Sequence, residues 1–303
     1  MSPHPHPQQP LEKPITVTIT TPSITPSITP SATPDALVDR PLGERDRRDD
    51  IASIPTAVRS EWIKLTTLRS NVTILAMTPI IGVLLSWILA VFVEIDPDTN
   101  QPYNIAETFL FSTWLTTVLA AIAGILMFTS EVQHGTMATV MTAQPARWVT
   151  VAAKTSIAAG FGLAMGALGM IGGLSGTLLG GLESGDTSEM PAKVLWGLFV
   201  ATLAPVLGLG IGMILRHSAA AVSILLVWVF VVENLLRTLI PANVHRFLPF
   251  SAANGLLGTA TGTDTPEMIA AELSRVQDAF LFGGYVVAAL AVGTVLLSRR
   301  DMS

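Results

Sequence analysis

The sequence predicts an all-α membrane protein with about six transmembrane helices, an N-terminal amphipathic interfacial helix and a disordered N-terminal tail. Half of its 303 residues are hydrophobic and only 13% are charged, whereas a soluble domain carries about 25% charged residues. Six apolar runs reach the length of about 20 residues that a helix needs to cross roughly 30 Å of hydrocarbon. The absence of cysteine excludes disulfides, and the net charge of −5 argues against nucleic acid as a partner.

Residues 1–54 are predicted to form a disordered cytoplasmic tail, and residues 55–303 a six-span transmembrane domain. Ten of the 20 prolines lie within residues 1–50, and the stretch TPSITPSITPSATP repeats every four residues. Such a segment has too little apolar surface to offset the entropy that it would lose on ordering.

Residues 57–69 predict the interfacial helix. The apolar residues of this segment, among them Trp62, recur at spacings of three and four, and Lys64 and Arg69 add positive charge. A basic amphipathic helix with a tryptophan is suited to the plane of a membrane interface, so we expect it to contact the lipid bilayer.

The six runs that predict transmembrane helices contain few ionisable residues. They cover residues 72–93, 108–128, 155–182, 194–215, 218–240 and 279–298. The third run carries glycines at four-residue spacing, which lets helix backbones approach closely, either within the chain or between subunits.

The distribution of lysine and arginine predicts the orientation. With the N-terminus inside, the inner connections and ends hold eight of these residues besides the tail, and the outer connections hold four. Because positive residues are enriched on the cytoplasmic side of membrane proteins, we expect a multi-pass protein of the cell membrane with both termini in the cytoplasm.

The sequence contains no motif that predicts catalysis by this chain. It has no P-loop G-x-x-x-x-G-K-[ST], no H-E-x-x-H and no G-x-S-x-G. Its five histidines are scattered, with two in the tail. We therefore expect no enzymatic activity, no cofactor and no metal site in this chain.

The connection between the second and third runs predicts a short helix with an apolar side. Thr136 is a plausible N-cap, Met137, Val140 and Met141 would share one exposed face, and Pro145 would end the helix. An exposed apolar face of this kind fits a groove on a partner protein or the membrane surface. Composition does not decide between these alternatives.

Three segments together resemble a known family. Residues 60–69 read SEWIKLTTLR, residues 131–136 read EVQHGT and are followed by Pro145, Arg147 and Lys154, and residues 216–236 begin RHSAA and continue to VWVFVVENLL. In this order, and within a frame of six spans, they resemble the permease subunit of ABC transporters, in the type-2 exporter family of actinobacterial type. The resemblance covers residues 55–236 and the last span.

The resemblance implies a role for each segment. Residues 131–143 would be a coupling helix that docks on a separate ABC ATPase subunit, and that partner would bind ATP and Mg. The residues expected at this contact are Glu131, His134, Gly135, Thr136, Met137, Val140, Met141 and Arg216. A second permease chain, identical or different, would complete a transporter that works by alternating access.

Glu233 and Arg237 are the ionisable residues inside the fifth run. Four residues apart, they could pair on one face of the helix, or Glu233 could serve a substrate route or a proton site. Two alternative functions remain open: an ion-coupled secondary transporter that uses Glu233, and a membrane scaffold or immunity protein that transports nothing.

Overall fold

The computed structural model describes residues 47–67, 69–92, 105–137, 140, 146–258 and 271–299. This part of the chain is helical and contains no strand. Six of its helices are long and apolar enough to cross a membrane. The structure therefore confirms an all-α membrane protein with six candidate spans.

The six candidate spans agree closely with the six apolar runs. In chain order the described helices are α1 (Arg47–Thr67), α2 (Arg69–Phe92), α3 (Ile105–Thr108), α4 (Phe111–Gln133), α5 (Arg147–Leu179), α6 (Met190–Leu215), α7 (Ser218–Leu239), α8 (Ala242–His245), α9 (Pro249–Leu257) and α10 (Arg275–Arg299). The largest difference is at the start of α5, which begins eight residues before the predicted run. The apolar run begins only after Lys154, because a lysine lowers the hydropathy. The helix nevertheless extends back through Lys154 to Arg147, since two carboxylates compensate the charge of the lysine.

Helix α1 begins at Arg47, so the predicted tail is too long at its C-terminal end. Asp50 accepts a hydrogen bond from Trp148 Nε1 at 3.3 Å, and this contact anchors the first turn of α1 on α5. Pro55 lies inside the helix. The rest of the predicted tail, residues 1–46, lies outside the described residues.

Helices α4, α5 and α6 form the centre of the bundle, and α2, α7 and α10 lie around it. In the most apolar stretches of the central three helices, 56–61% of the residues are buried, against 22% in the outer three. The outer helices therefore present most of their apolar side chains to the surroundings, as expected where lipid replaces water as the solvent.

Glycines set the distance between the central helices. A Cβ on Gly208 of α6 would overlap the carbonyl of Ala121 on α4, and one on Gly124 would overlap the carbonyl of Pro205. The glycines of α5 do the same against α2, where Gly172 meets Pro79. The described glycine contacts of α5 are thus within the chain, and the alternative of a subunit interface stays a prediction.

Two ends of the bundle can be distinguished by contacts. At one end, Arg147 at the start of α5 donates to the carbonyls of Leu297 and Ser298 at the end of α10, at 2.7 and 2.9 Å. We call this the charged end. At the opposite end, here the far end, Ile105 of α3 donates to the carbonyl of Glu183 just after α5.

The connection between α7 and α10 returns into the bundle at the far end. Its helix α9 buries Phe250, Ala252, Ala253, Leu256 and Leu257. The sequence does not reveal this helix, because nine residues are too short for a hydropathy signal.

We expect Gly208→Ala to lower the free energy of unfolding by about 1–3 kcal/mol or more, since the added methyl group overlaps backbone that cannot move aside. Gly284→Ala on α10 is the matched control, because a Cβ there meets nothing within 4 Å. Thermal unfolding in detergent should show a large loss for the first variant and no loss for the second. Equal midpoints would contradict the close approach of α4 and α6.

Candidate functional site

Four charged side chains form a closed ring at the charged end. Lys64 Nζ lies 2.7 Å from Glu61 Oε1 and 3.0 Å from Glu131 Oε1. Lys154 Nζ lies 2.9 Å from Glu61 Oε2 and 2.7 Å from Glu131 Oε1. Acids and bases alternate around this ion-pair ring, so every charge has two partners of opposite sign.

Three helices contribute to the ion-pair ring. Glu61 and Lys64 lie one turn apart on α1, Glu131 lies in the last turn of α4, and Lys154 lies in the third turn of α5. The exposed fraction of the side chain is 3% for Lys154, 11% for Glu61, 13% for Glu131 and 39% for Lys64. The ring therefore joins the start of the membrane domain to both ends of the connection between α4 and α5.

Burial makes Lys154, Glu61 and Glu131 depend on their partners in the ring. At an effective dielectric constant of about 20, an ion pair near 3 Å is worth roughly 5 kcal/mol, and removing an ion from water costs several kcal/mol. Two partners can offset that cost for each ion, whereas a lone ion at the same place would be strongly unfavourable. Within the described ranges, Glu131 Oε2 is buried and has no hydrogen-bond partner, so this carboxylate depends on its other oxygen.

The ring shifts the pKa values of its two members on α1. Burial by itself raises the pKa of Glu61, but the charge of Lys154 and the hydrogen bonds from Lys64 and Lys154 outweigh it and hold the pKa below 4.5. Burial lowers the pKa of Lys64, but the hydrogen bonds to Glu61 and Glu131 outweigh that effect and hold the pKa above 10.5. Both groups are therefore charged at neutral pH.

An exposed turn follows the ring directly at the end of α4. His134, Gly135 and Thr136 are all exposed, and Gly135 has a φ of 69° with open space where a side chain would be. Thr136 Oγ1 donates to the carbonyl of Glu131 at 3.3 Å, so it closes the turn rather than acting as the expected N-cap. The turn is thus accessible at the surface while the ring fixes its base.

The expectation of an exposed apolar face is wrong for Met137. Its side chain is 3% exposed and belongs to the hydrophobic core, because the turn at Gly135 directs the chain back toward the bundle. Val140 is partly buried. Met141 lies outside the described residues.

The turn between α6 and α7 lies beside the turn after α4. Arg216 ends α6 with a left-handed φ of 55°, and Ser218 Oγ donates to Gln133 Oε1 at 2.8 Å. The structure thus brings together two connections that sequence analysis assigned to the same contact surface.

The predicted interfacial residues separate in the structure. Trp62 is 55% exposed and its neighbour Ile63 50%, so α1 presents an apolar surface outward. Lys64 instead contacts the carboxylates of Glu61 and Glu131 in the ion-pair ring. Arg69 lies at the start of α2, and its side chain lies outside the described part of the structure.

Glu233 occupies a second polar site at the far end. Its side chain is 3% exposed, and its carboxylate accepts hydrogen bonds from Trp228 Nε1 at 3.1 Å, from the Phe250 amide at 3.3 Å and from the Ser251 amide. The sequence suggested Arg237 as its partner, but the structure gives the carboxylate three other donors. The pairing with Arg237 stays a prediction.

In the sequence, Glu61, Glu131 and Lys154 lie in separate segments, and nothing in the local pattern predicts that they meet. The sequence shows only that acidic and basic residues flank the apolar runs. It does not show which of these residues form ion pairs. Among the described residues, no group of three His, Cys, Asp or Glu residues could hold a metal ion.

We expect Lys154→Met to lower the free energy of unfolding by about 3–5 kcal/mol, since it leaves two buried carboxylates with only Lys64 between them. Arg59→Met removes the same charge from an exposed position on α1 and should change stability by less than about 0.5 kcal/mol. Chemical unfolding in detergent would measure both. A Lys154 variant as stable as the Arg59 variant would contradict the ring.

We expect the ring to make stability depend on pH in two windows. The contribution of Glu61, whose pKa is lowered in the folded chain, is complete above pH 4.5 and is lost as the pH falls through the lowered pKa. The contribution of Lys64, whose pKa is raised, is complete below pH 10.5 and is lost as the pH rises through the raised pKa. The unfolding midpoint of the parent minus that of Glu61→Gln should therefore be constant at neutral pH and shrink in acid. A difference that grows in acid would refute this assignment.

Comparison with protein-family models finds no match to this chain, and comparison with curated proteins finds none either.

Proposed function

We propose that this chain is the membrane-spanning permease subunit of an ABC-type exporter and that it moves substrate by alternating access. A separate ATPase subunit would bind ATP and Mg and supply the driving force, and a second permease chain would complete the transporter. Six candidate spans support the membrane part of this proposal. Its finer part rests on the family resemblance together with the geometry at the charged end.

The ion-pair ring is the observation that carries the proposal. The exposed turn at residues 134–136 is the natural contact for a partner, and Glu131 lies at its base. Through Lys154 and Glu61, the same carboxylate is tied to α5 and α1. A displacement of the turn would therefore move three helices together, which is what a coupling element must do to convert closure of an ATPase into helix motion.

The adjacent turn at Arg216 extends the proposed contact surface. Because Ser218 bonds to Gln133, a partner that covers the turn after α4 would also reach the start of α7. The charged end would then face the cytoplasm, in agreement with the lysine and arginine distribution.

The alternative of an ion-coupled transporter has less support. It depends on Glu233 exchanging an ion or proton with the transport route, yet both oxygens of this carboxylate already accept hydrogen bonds within the chain. The alternative of a scaffold without transport does not explain why an exposed turn is linked to three helices through buried ion pairs.

The proposal predicts that the tagged chain, purified from its native membranes in mild detergent, retains a stoichiometric subunit with a P-loop and hydrolyses ATP. Gly135→Ala should reduce the retained ATPase subunit by about tenfold or more, because a side chain at positive φ distorts the turn that contacts the partner. Quantitative mass spectrometry of the purified complex and its rate of ATP hydrolysis measure this effect.

Gly181→Ala provides a matched control. Gly181 also has a positive φ, 78°, with open space around it, but it follows α5 at the far end. This variant should retain the ATPase subunit at the level of the parent. Loss of the subunit in both variants, or in neither, would refute the assigned contact surface, and a purified chain without any P-loop subunit would refute the permease assignment.

A further inference from the structure

Helix α9 covers the far end of the central helices. Leu256 and Leu257 are 0% and 1% exposed. A Cβ on Gly197, near the start of α6, would contact the side chains of Leu257, Met170 and Leu110. Leu257 therefore sits where α5, α6 and the segment leading into α4 meet.

The N-terminus of α9 is held by a side chain from another helix. Its own N-cap residue, Leu248, has no side-chain oxygen to offer. The carboxylate of Glu233 on α7 serves as the cap instead, because it accepts hydrogen bonds from the backbone amides of Phe250 and Ser251. A carboxylate at this position bonds two amides that lack helical partners and interacts favourably with the helix dipole. It is the polar tie from α7 to α9.

A π-helical turn places Glu233 for this role. The turn covers Trp228–Val232, and the Glu233 amide donates to the carbonyl of Trp228, five residues earlier. In an α-helix, residues five apart point about 140° away from each other, so the indole could not reach the carboxylate. The π-turn brings Trp228 Nε1 to within 3.1 Å of Glu233 Oε2 and so fixes the carboxylate toward α9. Such turns are frequent at functional sites.

Helix α9 also packs against a buried carboxylate of α10, and we call this contact the polar seat of α9. On the same helix, Ser251 Oγ and Asn254 Oδ1 are buried and have no hydrogen-bond partner among the described residues. The carboxylate of Asp278, a residue that is 4% exposed, lies against Gly255, and the described part of the chain gives it no donor. A half-satisfied polar seat is less stable than an apolar one, so it opposes the tie at Glu233.

We propose that α9 is a lid over the far end of the central helices, which Glu233 latches shut and the polar mismatch with Asp278 tends to open. Just before the lid, Tyr285 donates to the carbonyl of Phe247 at 2.8 Å, and this bond anchors the hinge on α10. The lid requires no ATPase, and it adds a moving element at the end opposite the ion-pair ring.

The absence of cysteine from the chain allows a direct test. Ala253→Cys puts one thiol on α9 at a position that is 3% exposed. In the full-length chain purified in detergent, a soluble maleimide should label this lid thiol slowly, because labelling requires the lid to open. Adding Glu233→Gln should speed labelling by about tenfold or more, since an amide places a donor against one of the three donors of the latch.

The second variant should act in the opposite direction. Asp278→Asn replaces a buried carboxyl that has no donor among the described residues with an amide that can itself donate, so labelling of the lid thiol should slow by about threefold or more. Ala158→Cys supplies a control thiol at a position in α5 that is 0% exposed. This control thiol should react at the same rate with and without each change.

These rates decide the proposal. An unchanged rate at the lid thiol in Glu233→Gln, or a parallel rise at the control thiol, would overturn the latch. Labelling in Asp278→Asn that is unchanged or faster would overturn the opposing seat. Should Glu233→Gln fail to fold, Trp228→Phe replaces it, because it removes one donor that fixes the carboxylate. It should speed labelling about threefold or more, and an unchanged rate would again overturn the latch.

Discussion

The ion-pair ring at the charged end is the interaction on which the arrangement of this molecule depends. A buried lysine or carboxylate is tolerated only where opposite charges compensate it, and no single helix of the ring carries a complete set. Glu61 and Lys64 need Glu131, and Glu131 needs Lys154. Helices α1, α4 and α5 must therefore dock together, and the connection between α4 and α5 begins and ends at the same fixed point.

Close packing between α4 and α6 extends the contacts of the central helices beyond the charged end. Where α4 crosses α6, Gly124 and Gly208 bring backbone against backbone, so neither helix can shift without moving the other. Lipid offers no hydrophobic force between helices, and dispersion at such close contacts has to replace it. The ring thus fixes α4 and α5 to each other at the charged end, and the glycine contacts hold α4 against α6 further along the bundle.

The two ends of the bundle differ in how their buried polar groups are partnered. At the charged end, acids and bases alternate and each charge of the ring has two opposite charges beside it, although the structure describes no hydrogen-bond partner for Glu131 Oε2. At the far end, Glu233 accepts from three donors. Among the described residues, however, Asp278, Ser251 and Asn254 leave buried polar atoms of α9 and α10 without partners. A compensated site favours rigidity, whereas a site with opposing terms can be shifted by small changes. In a transporter, a rigid joint at the ATPase side and a movable lid at the other side would be complementary parts.

The sequence by itself determined the class of fold, the six spans and most of their boundaries, because crossing hydrocarbon requires a run of apolar residues that is visible in one dimension. The tertiary structure decided which charges pair, since Glu61 and Lys154 lie 93 positions apart and only helix packing brings them together. It also decided that Met137 is buried and that Glu233 caps α9, because both outcomes depend on chain direction after a turn. The local sequence pattern therefore determines which segments form apolar helices, whereas the contacts between side chains of different helices depend on how the bundle packs.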